Sequence, residues 1–231
     1  MRLTLLDPHN PNQPFPPLHR ALREPDGLLA VGGCLSAERL LTAYRQGIFP
    51  WYNADEPILW WSPDPRLVLF PDNLIVSRSL RKTLRKGAFT VSFDKAFSKV
   101  IAACAKPRKY SESTWITTDI YRSYVRLHQQ GIAHSVEVWC NDELVGGLYG
   151  VALGQVFFGE SMFHTQTDAS KVAFVSLVEQ LKNWGYQLID CQVHTSHLES
   201  LGAEEIDRRV FVQLLEQFCE LPVASSAWHT S

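Results

Sequence analysis

The sequence lacks the features of membrane-spanning and secreted proteins. None of its apolar runs approaches the roughly 18 residues that a membrane-spanning helix needs. The proline-rich start, from Met1 to Leu18, has neither the apolar core nor the small-residue cleavage site of a signal peptide. We therefore expect a cytoplasmic protein without a membrane segment.

Cysteine is scarce, and the spacing of the cysteines argues against both disulfide bonds and a structural zinc site. The five cysteines are odd in number, lie far apart and include no Cys-x-x-Cys pair, so the sequence predicts neither a disulfide framework nor a zinc site. His194 and His197 lie close enough in sequence to suggest a metal, but no convincing third ligand accompanies them. We expect reduced thiols, mostly buried, and no bound metal.

Three well-known catalytic and nucleotide-binding motifs are also missing. The chain contains no Gly-x-Ser-x-Gly nucleophile motif, no Gly-x(4)-Gly-Lys-Ser/Thr phosphate loop and no Gly-x-Gly-x-x-Gly dinucleotide fingerprint. These absences argue against covalent and redox mechanisms, and we expect no cofactor.

A net charge of -2 hides a strongly basic segment between Arg78 and Lys109. The segment holds ten Lys or Arg residues and one acid, Asp94, which makes it a candidate surface for a polyanion. Ser77 predicts the start of a helix whose basic residues recur at spacings of three and four, so most of them share one face, while Leu80 can pack. The alternative is a basic helix face that is merely solvated. The size of the excess favours nucleic acid.

The chain divides into two parts of different character, residues 1–64 and 65–231. The first has an extended proline-rich entry, a short strand and a helix that starts after Ser36. Its last residues include two aromatic clusters, 49–52 and 59–61, which form either a core that joins two domains or a wall beside a ligand. Composition favours the core. At the other end, the chain is expected to fray from Ala224 onwards.

The stretch from Leu144 to Gln192 organises the rest of the chain. Its pattern predicts two strands, a helix over 169–184 and a third strand, with Asp168 as the N-cap of the helix and Gly185 at its end. This order predicts a crossover onto a mixed or parallel sheet. The glycines between Gly146 and Gly154 interrupt an apolar strand, and they indicate a bulge or the close approach of another backbone.

Two carboxylates, Glu160 and Asp190, fall at the ends of two of these strands. Gln192 lies two residues beyond Asp190, which places both side chains on one face of a regular strand. Such groups can orient a cationic amine, hold its charge or polarise a neighbouring amide. The alternative is a structural role in capping and in buried hydrogen bonds around an irregular strand.

Seven sequence blocks follow one another between Tyr44 and Phe211 and form a specific pattern. They are RQGIFPW (45–51), LWWSP (59–63), TWIT (114–117), GIAHSVE (131–137), LVGGLYG (144–150), GESMF (159–163) and LIDCQ (188–192). The pattern resembles the leucyl/phenylalanyl-tRNA–protein transferase family of bacteria over most of the chain. Two small departures are His164, where serine is usual, and Asp168, where asparagine is usual.

The resemblance implies an α+β chain with a small N-terminal α/β domain over 1–64 and a C-terminal acetyltransferase-like (GNAT) mixed-sheet domain over 65–231. It also implies transfer of leucine or phenylalanine, and less readily methionine, from aminoacyl-tRNA to an N-terminal Arg or Lys of an acceptor protein. The product would be degraded by the N-end rule pathway. The basic segment suits the tRNA acceptor stem, the aromatic residues suit the aminoacyl group and the terminal adenine, and the carboxylates suit the cationic acceptor. We expect a monomer.

The family's functional residues carry over by position. Its aminoacyl-adenosine site corresponds to Tyr44, Trp51, Trp115 and Tyr124, with Phe157 and Phe158 as candidates for the apolar pocket. Its tRNA-contacting basic helix corresponds to Arg78, Lys82, Arg85 and Lys86. Its reaction centre corresponds to Glu160, Asp190 and Gln192.

For the reaction we expect aminolysis of the ester, in which the neutral amine of the acceptor attacks the carbonyl and the ribose hydroxyl leaves. Asp190 would orient and polarise Gln192, whose side-chain oxygen holds or receives the amine proton, while Glu160 positions the amine or the ribose. Because glutamine is a weak base, a substrate-assisted route in which an adenosine hydroxyl shuttles the proton is at least as plausible.

Two other functions stay open at the level of sequence. An acyl-CoA N-acetyltransferase shares the strand and helix order, but it needs a glycine-rich turn for pyrophosphate, and the acid Asp168 disfavours an anion there. A non-catalytic RNA-binding module would explain the basic helix but leave the three polar residues of the reaction centre without a purpose. Assays with charged tRNA and with acetyl-CoA separate these functions.

Overall fold

The computed structural model describes residues 3–106 and 114–229. The N-terminal part is built on a small four-stranded sheet, in which the first two strands along the chain are parallel and the other neighbours are antiparallel. In the spatial order β1-β2-β4-β3, its strands are β1 (Thr4–Leu6), β2 (Leu28–Gly32), β3 (Phe49–Pro50) and β4 (Leu59–Trp61). Helix α1 (Ala37–Arg45) begins as predicted at Ser36, whose hydroxyl accepts a hydrogen bond from the Arg39 backbone N–H.

A seven-stranded mixed sheet forms the second part. All neighbouring strands are antiparallel except β9 (Val156–His164) and β10 (Leu188–Gln192), which are parallel. In the spatial order β11-β5-β10-β9-β8-β7-β6, the strands are β5 (Arg66–Leu69), β6 (Thr90–Phe93), β7 (Ala133–Cys140), β8 (Glu143–Leu153), β9 (Val156–His164), β10 (Leu188–Gln192) and β11 (Glu204–Ile206). The predicted α+β class, with a mixed sheet in the second part, is confirmed, while the acetyltransferase-like (GNAT) assignment of that sheet stays a prediction.

Helices cover both faces of this sheet and enclose two hydrophobic cores. They are α2 (Arg78–Arg85), α3 (Phe97–Cys104), α4 (Thr118–Gln129), α5 (Ala169–Trp184), α6 (Ser196–Glu199) and α7 (Arg208–Phe218). Apolar residues of α3, α4 and α7 share one core with the N-terminal part, whereas α2 and α5 bury theirs in the other. Successive strand residues therefore alternate between cores, as Phe157 and Phe158 do.

The predicted crossover is present, since α5 connects β9 to the parallel strand β10. Gly146 lets this helix lie close to the sheet, because a Cβ at that position would come within 2.6 Å of the Ala169 Cβ. The pairing of β8 with β9 shifts register between Tyr149 and Gly150, so the bulge that the glycines indicated is confirmed. Gly185 ends α5 in the left-handed conformation, with φ at 89°.

The prediction that Asp168 caps α5 is wrong. An N-cap residue normally has extended backbone, but Asp168 has φ at 67° and its side chain makes no cap hydrogen bond. Its carboxylate instead accepts a hydrogen bond from the Thr83 hydroxyl at 3.2 Å and lies 3.4 Å from Lys171 Nζ. Asp168 therefore joins α2 to the start of α5.

The predicted fraying from Ala224 is also wrong for the described residues 224–229. The Trp228 ring stacks on His134 with centroids 4.0 Å apart and packs against Trp184 at 4.8 Å. Its indole N–H donates a hydrogen bond to the Tyr186 hydroxyl at 2.8 Å. Aromatic contacts therefore hold the end of the described chain against α5 and β7.

The chain passes from the first sheet to the second between Trp61 and Arg66, next to the predicted domain boundary at 64/65. One core nevertheless spans both parts, because Tyr44 of α1 packs on Phe158 of β9 with ring centroids 5.0 Å apart. The division into two domains stays a prediction.

Across residues 3–106 and 114–229, no helix combines the length and apolarity needed to cross a membrane. The five cysteines are free thiols, as expected. Only Cys104 and Cys219 are fully buried, whereas the other three are partly exposed. The expectation of mostly buried thiols therefore holds for two of the five.

Candidate active site

A cavity of about 810 Å³ lies beside the middle of β9 and the second half of β10. The prediction that Glu160 ends a strand is wrong, because β9 continues past it to His164 in its pairing with β8. Its size is typical of a site for a small molecule or the reactive end of a larger one. The wall is mainly apolar and aromatic, with contributions from the N-terminal part, from β8, β9 and β10, and from α5 and α6. The three predicted reaction-centre residues, Glu160, Asp190 and Gln192, all line it.

The six aromatic residues that the resemblance assigned to substrate binding divide into two groups. Trp51, Trp115 and Phe157 line the cavity. The other three, Tyr44, Tyr124 and Phe158, are fully buried in the core. Phe158 differs from Phe157 because neighbouring strand residues point to opposite faces of the sheet.

The two aromatic clusters of the N-terminal part serve both as core and as wall. Trp60 is fully buried, and its indole N–H donates a hydrogen bond to the Gly32 carbonyl at 2.8 Å. Trp51 and Trp61 line the cavity in an edge-to-face pair with centroids 5.6 Å apart. Alternation along β4 thus sends neighbouring tryptophans to different environments.

Side chains from α1, α4 and β10 contact the carboxyl group of Glu160. The hydroxyls of Tyr44 on α1 and Tyr124 on α4 lie 2.7 and 3.0 Å from its Oε1 and Oε2, respectively, and also hydrogen-bond each other. Gln192 Nε2 donates a hydrogen bond to Oε1 at 3.2 Å. The two buried tyrosines therefore contact Glu160 of the predicted reaction centre directly, and contact between them and adenosine stays a prediction.

Burial of the carboxyl group raises the pKa of Glu160 to about 8. Hydrogen bonds from Tyr44 and Tyr124 act in the opposite direction, and the charges of Asp190 and Arg66 respectively raise and lower the pKa further. Glu160 is therefore largely protonated at neutral pH. Burial, together with the nearby Glu160, also raises the pKa of both tyrosines well above the usual value, so they stay neutral phenols.

Asp190 is fully buried and paired with Arg66. The arginine donates to both carboxylate oxygens, from Nε at 2.8 Å and from Nη2 at 2.6 Å. Its guanidinium also donates to the Gly47 carbonyl and lies 4.8 Å from the Phe49 ring centre. A bidentate pair of this kind fixes orientation and neutralises both charges.

Sequence reasoning missed Arg66. The sequence placed it at the start of a short apolar strand, β5, and gave no pattern that joins it to a carboxylate 124 residues away. The available signal was a single arginine beginning an otherwise apolar strand that pairs with β10, because a buried cation needs an acid nearby. Its partner could not be named without the strand pairing.

Gln192 does not occupy the regular strand position that the sequence predicted. The register of β10 shifts between Asp190 and Gln192, and Gln192 has φ at 65°. Asp190 Oδ1 accepts a hydrogen bond from the Gln192 backbone N–H at 2.9 Å, while the Gln192 amide N–H reaches Glu160. Asp190 therefore contacts Gln192 through the Gln192 backbone N–H. The prediction that regular alternation places both side chains on one face of the strand is wrong, because the strand is irregular between them.

The predicted basic helix is α2, capped by the Ser77 hydroxyl. Arg78, Lys82, Arg85 and Lys86 are exposed and, with Arg81, outline a surface depression of about 440 Å³. None of these five side chains forms an ion pair within the described residues. Leu80 is buried underneath, as predicted. Arg108 and Lys109, at the end of the basic segment, lie outside the described residues.

Within the described part of the chain, no group of three or more His, Cys, Asp or Glu side chains is arranged to hold a metal. His194 Nε2 lies 3.3 Å from Glu199 Oε2, and His197 lines the cavity from α6.

The cavity has an apolar wall that includes a polar group of residues, and an unpaired basic helix lies on the same chain. This combination suits a group-transfer enzyme with a polyanionic substrate. Residues 68–216 match the family model described as leucyl/phenylalanyl-tRNA protein transferase, and residues 33–64 match the model of its N-terminal domain. The chain belongs to this family. It is therefore a transferase enzyme of the aminoacyltransferase type, as the sequence predicted.

Curated relatives support the same membership over nearly the whole chain. The leucyl/phenylalanyl-tRNA–protein transferase of Stutzerimonas stutzeri is 62% identical over 211 residues, which cover 91% of this chain and 93% of the relative. That of Methylococcus capsulatus is 58% identical over 226 residues, covering 98% and 96%, respectively.

Solved structures with similar folds are much more distant in sequence. FemX is 10% identical with a TM-score of 0.46, covering 78% of this chain and 71% of its own. A GCN5-related N-acetyltransferase from Kribbella flavida is 11% identical with a TM-score of 0.40, covering 71% and 59%. With TM-scores below 0.5, the assignment rests on the sequence relatives and not on these structures.

Proposed function

We propose that the chain transfers leucine or phenylalanine, and less readily methionine, from aminoacyl-tRNA to the α-amine of an N-terminal Arg or Lys of an acceptor protein. The new peptide bond marks the acceptor for the N-end rule pathway. The observation that carries this proposal is the cavity itself, whose apolar wall leads to Glu160, Asp190 and Gln192. An apolar wall suits the aminoacyl side chain, and the polar end suits an amine and an ester.

The unpaired basic helix α2 supports the tRNA part of the proposal. Its cations would hold acceptor-stem phosphates, since such contacts supply affinity with little reading of sequence. Thr83 of α2 bonds Asp168 at the start of α5, and α5 contributes Phe174 and Leu177 to the cavity. An RNA on α2 would therefore direct its 3' end along α5, where Trp51 or Trp115 offers an aromatic face for the terminal adenine.

The chemical step we propose is aminolysis of the ester. The neutral amine attacks the carbonyl carbon, the C–N bond forms, the bond to the ribose oxygen breaks, and the amine proton passes to that oxygen. Because Gln192 Nε2 donates to Glu160, the Gln192 amide oxygen is the atom left to accept a hydrogen bond from the amine. The proton then reaches the ribose oxygen by way of Gln192 or through a neighbouring adenosine hydroxyl.

The charges at the site suggest where the cationic acceptor side chain is held. Asp190 is neutralised by Arg66, and the raised pKa of Glu160 leaves it largely uncharged at neutral pH. Asp26, in contrast, is exposed and lines the cavity. We therefore assign Asp26 to the acceptor's guanidinium or ammonium group.

As further parts of the same proposal, the enzyme acts in the cytoplasm and works as a monomer. One chain contributes both the cavity and the basic helix, so a second copy is not needed to complete the site.

Of the two rival functions, the acyl-CoA acetyltransferase is disfavoured by Asp168. Its carboxylate lies beside the N-terminus of α5, where pyrophosphate would need to approach backbone N–H groups. The RNA-binding module is disfavoured by the buried Glu160 centre, which phosphate contacts alone do not require.

The test is transfer of labelled leucine from leucyl-tRNA to a model protein with N-terminal Arg, with N-terminal Ala as the acceptor control. Gln192→Ala should slow transfer by about a hundredfold, the usual loss for one well-placed polar group. The matched control is Gln187→Ala, which replaces an exposed glutamine directly before β10. Native-rate transfer by Gln192→Ala with saturating aminoacyl-tRNA would remove Gln192 from the reaction. Absence of transfer by the native chain, or acetylation from acetyl-CoA, would reject the proposed function.

A further inference from the structure

Two hydroxyl oxygens beside Glu160 form a closed ring of three hydrogen bonds with its carboxyl group. The Tyr44 hydroxyl contacts Oε1, the Tyr124 hydroxyl contacts Oε2, and the two hydroxyls contact each other. Tyr44 and Tyr124 are fully buried, so water does not supply further partners at their ring positions. The arrangement therefore has to satisfy its three contacts with the hydrogens that these three side chains carry.

Counting those hydrogens decides the protonation state. If Glu160 is ionised, the two hydroxyl hydrogens point to its two oxygens and none remains for the contact between the tyrosines. Two oxygen atoms would then face each other at hydrogen-bond distance without a hydrogen, a repulsive arrangement. One further hydrogen, on the carboxyl group, gives each of the three contacts its own donor.

Gln192 fixes where that hydrogen sits. Its Nε2 donates to Oε1, and the carbonyl oxygen of a carboxylic acid is a stronger acceptor than the hydroxyl oxygen, which assigns the hydrogen to Oε2. In the protonated centre the ring then runs in one direction: Oε2 donates to the Tyr124 oxygen, Tyr124 donates to Tyr44, and Tyr44 donates to Oε1. An ionised carboxylate would instead accept from Tyr124 at Oε2. Every donor and acceptor of the ring is used once in the ring.

We propose that Glu160 works as a neutral carboxylic acid whose proton closes the hydrogen-bonded ring with Tyr44 and Tyr124, and that this ring positions Gln192. The inference rests on the proposed function and deepens it, because it gives Tyr44 and Tyr124 a task at the reaction centre. Glu160 is then a positioning residue for the Gln192 amide and does not hold the acceptor's positive charge.

The groups that face Glu160 agree with a neutral acid. The positive charge near it belongs to Arg66, which already donates to both oxygens of Asp190. Burial favours the protonated form in the same direction. The titratable or polar groups that face it from the surrounding elements are Tyr44 on α1, Arg66 on β5, Tyr124 on α4, Tyr149 on β8, and Asp190 and Gln192 on β10.

A neutral Glu160 also suits the proposed substrate. The cavity wall beside it is apolar, and an uncompensated carboxylate there would disfavour the desolvation of a leucine or phenylalanine side chain. With its proton, Glu160 can hold the Gln192 N–H and keep the Gln192 amide oxygen directed away from itself. The oxygen of Gln192 is thereby kept free for the incoming amine.

The deciding experiment compares the native chain with Glu160→Gln and Glu160→Ala. The glutamine amide can replace the ring, since its N–H₂ donates to Tyr124 and its oxygen accepts from Tyr44, whereas alanine leaves both hydroxyls unpaired. The first measurement is the infrared difference spectrum of native chain minus Glu160→Gln. It should show the carbonyl band of a protonated carboxyl group at neutral pH, with a midpoint of loss near pH 8.

The second measurement is the pH profile of leucine transfer. Glu160→Gln should transfer leucine at least about tenfold faster than Glu160→Ala. The native rate should fall as the pH rises through about 8, whereas the rate of Glu160→Gln should not. No infrared band at neutral pH would overturn the proposal. So would a Glu160→Gln variant as slow as Glu160→Ala whose KM for the acceptor is raised more than about tenfold, because that pattern belongs to an anion that binds a cation.

The two measurements keep this proposal separate from the proposed function. If the native chain transfers no leucine, the function is rejected, while the infrared band still reports whether the ring holds a proton. If the chain transfers leucine and the band is absent, the function stands and the neutral acid is rejected.

Discussion

Arg66 holds Asp190 by two hydrogen bonds, from Nε and Nη2 to the two carboxylate oxygens, at 2.8 and 2.6 Å. Both side chains are shut off from solvent, and the guanidinium carbon lies 4.8 and 4.7 Å from the ring centres of Phe49 and Phe211, respectively. The charge of Asp190 is therefore neutralised inside the protein. Both Asp190 oxygens accept from Arg66, and Oδ1 also accepts a hydrogen bond from the Gln192 backbone N–H, so neither oxygen is without a donor.

Replacing Asp190 by Ala should destabilise the fold as well as the site. The change leaves the buried guanidinium of Arg66 without its counter-charge, so the free energy of unfolding should fall by about 3–5 kcal/mol. Urea unfolding of the native chain and the variant measures the difference. The double variant Asp190→Ala with Arg66→Met should recover part of the loss, because it removes the unpaired charge. A single variant as stable as the native chain would contradict the account of the pair.

The proton on Glu160 should also appear in the stability of the fold. The folded pKa of about 8 lies above the ordinary value of 4.5, so the folded chain holds this proton more tightly than the unfolded chain does. The stabilisation that this proton gives to the folded chain is complete below a pH of 4.5 and is lost as the pH rises to about 8. The unfolding free energy of the native chain should therefore decline relative to that of Glu160→Gln over this range. A difference that does not change with pH would argue for an ionised Glu160.

The elements that the sequence predicted correctly depend on local chemistry. Ser36 and Ser77 cap their helices, and Gly185 ends α5, because each signal lies within a few residues of the feature it controls. The parts that it missed are contacts between distant segments. Arg66 meets Asp190 across 124 residues of sequence, and Tyr44 meets Glu160 across 116.

Gln192 shows a second reason why the geometry of the site could not be predicted from the sequence. Its position on one face with Asp190 followed from regular alternation, but the backbone at Gln192 is left-handed and the strand register shifts there. No local residue pattern announced the irregularity, since positive φ is uncommon for glutamine. The resemblance named residues that the fold brings together at one cavity, and only the strand pairing shows how they connect.

The basic helix should control aminoacyl-tRNA binding and not the chemical step. Replacing Arg78, Lys82, Arg85 and Lys86 together by Ala removes four unpaired cations. The slope of log affinity against log salt should become shallower by about 3, and the KM for aminoacyl-tRNA should rise by about a hundredfold or more, because phosphate contacts release counterions. Turnover at saturating aminoacyl-tRNA should change little. The control is Arg209→Ala on α7, an exposed arginine that is paired with Asp207. An unchanged salt slope would place the RNA elsewhere.

Asp26 should determine affinity for the cationic acceptor. Asp26→Asn keeps the shape of the side chain but removes the exposed negative charge at the cavity, so the KM for the Arg acceptor should rise by about 3- to 10-fold, in line with a solvent-accessible charge pair. Turnover at saturating acceptor should stay near the native value. Glu179→Gln, which removes an exposed charge from α5, is the matched control. If both variants raise KM equally, net charge and not a contact at Asp26 explains the effect.

Trp228 should couple the end of the described chain to the cavity. Its ring lies 5.8 Å from that of Phe157, which lines the cavity, and stacks on His134 at 4.0 Å. Trp228→Ala therefore opens a space behind the cavity wall, and we expect the unfolding free energy to fall by about 3 kcal/mol, the lower end for loss of a large aromatic side chain. Because the freed space lets Phe157 move, the KM for leucyl-tRNA should rise while salt dependence stays unchanged. Leu221→Ala, an exposed side chain in the same segment, should alter neither quantity. A Trp228→Ala variant that is destabilised but keeps the native KM would show that Phe157 is held by α5 and the sheet without help from the C-terminal segment.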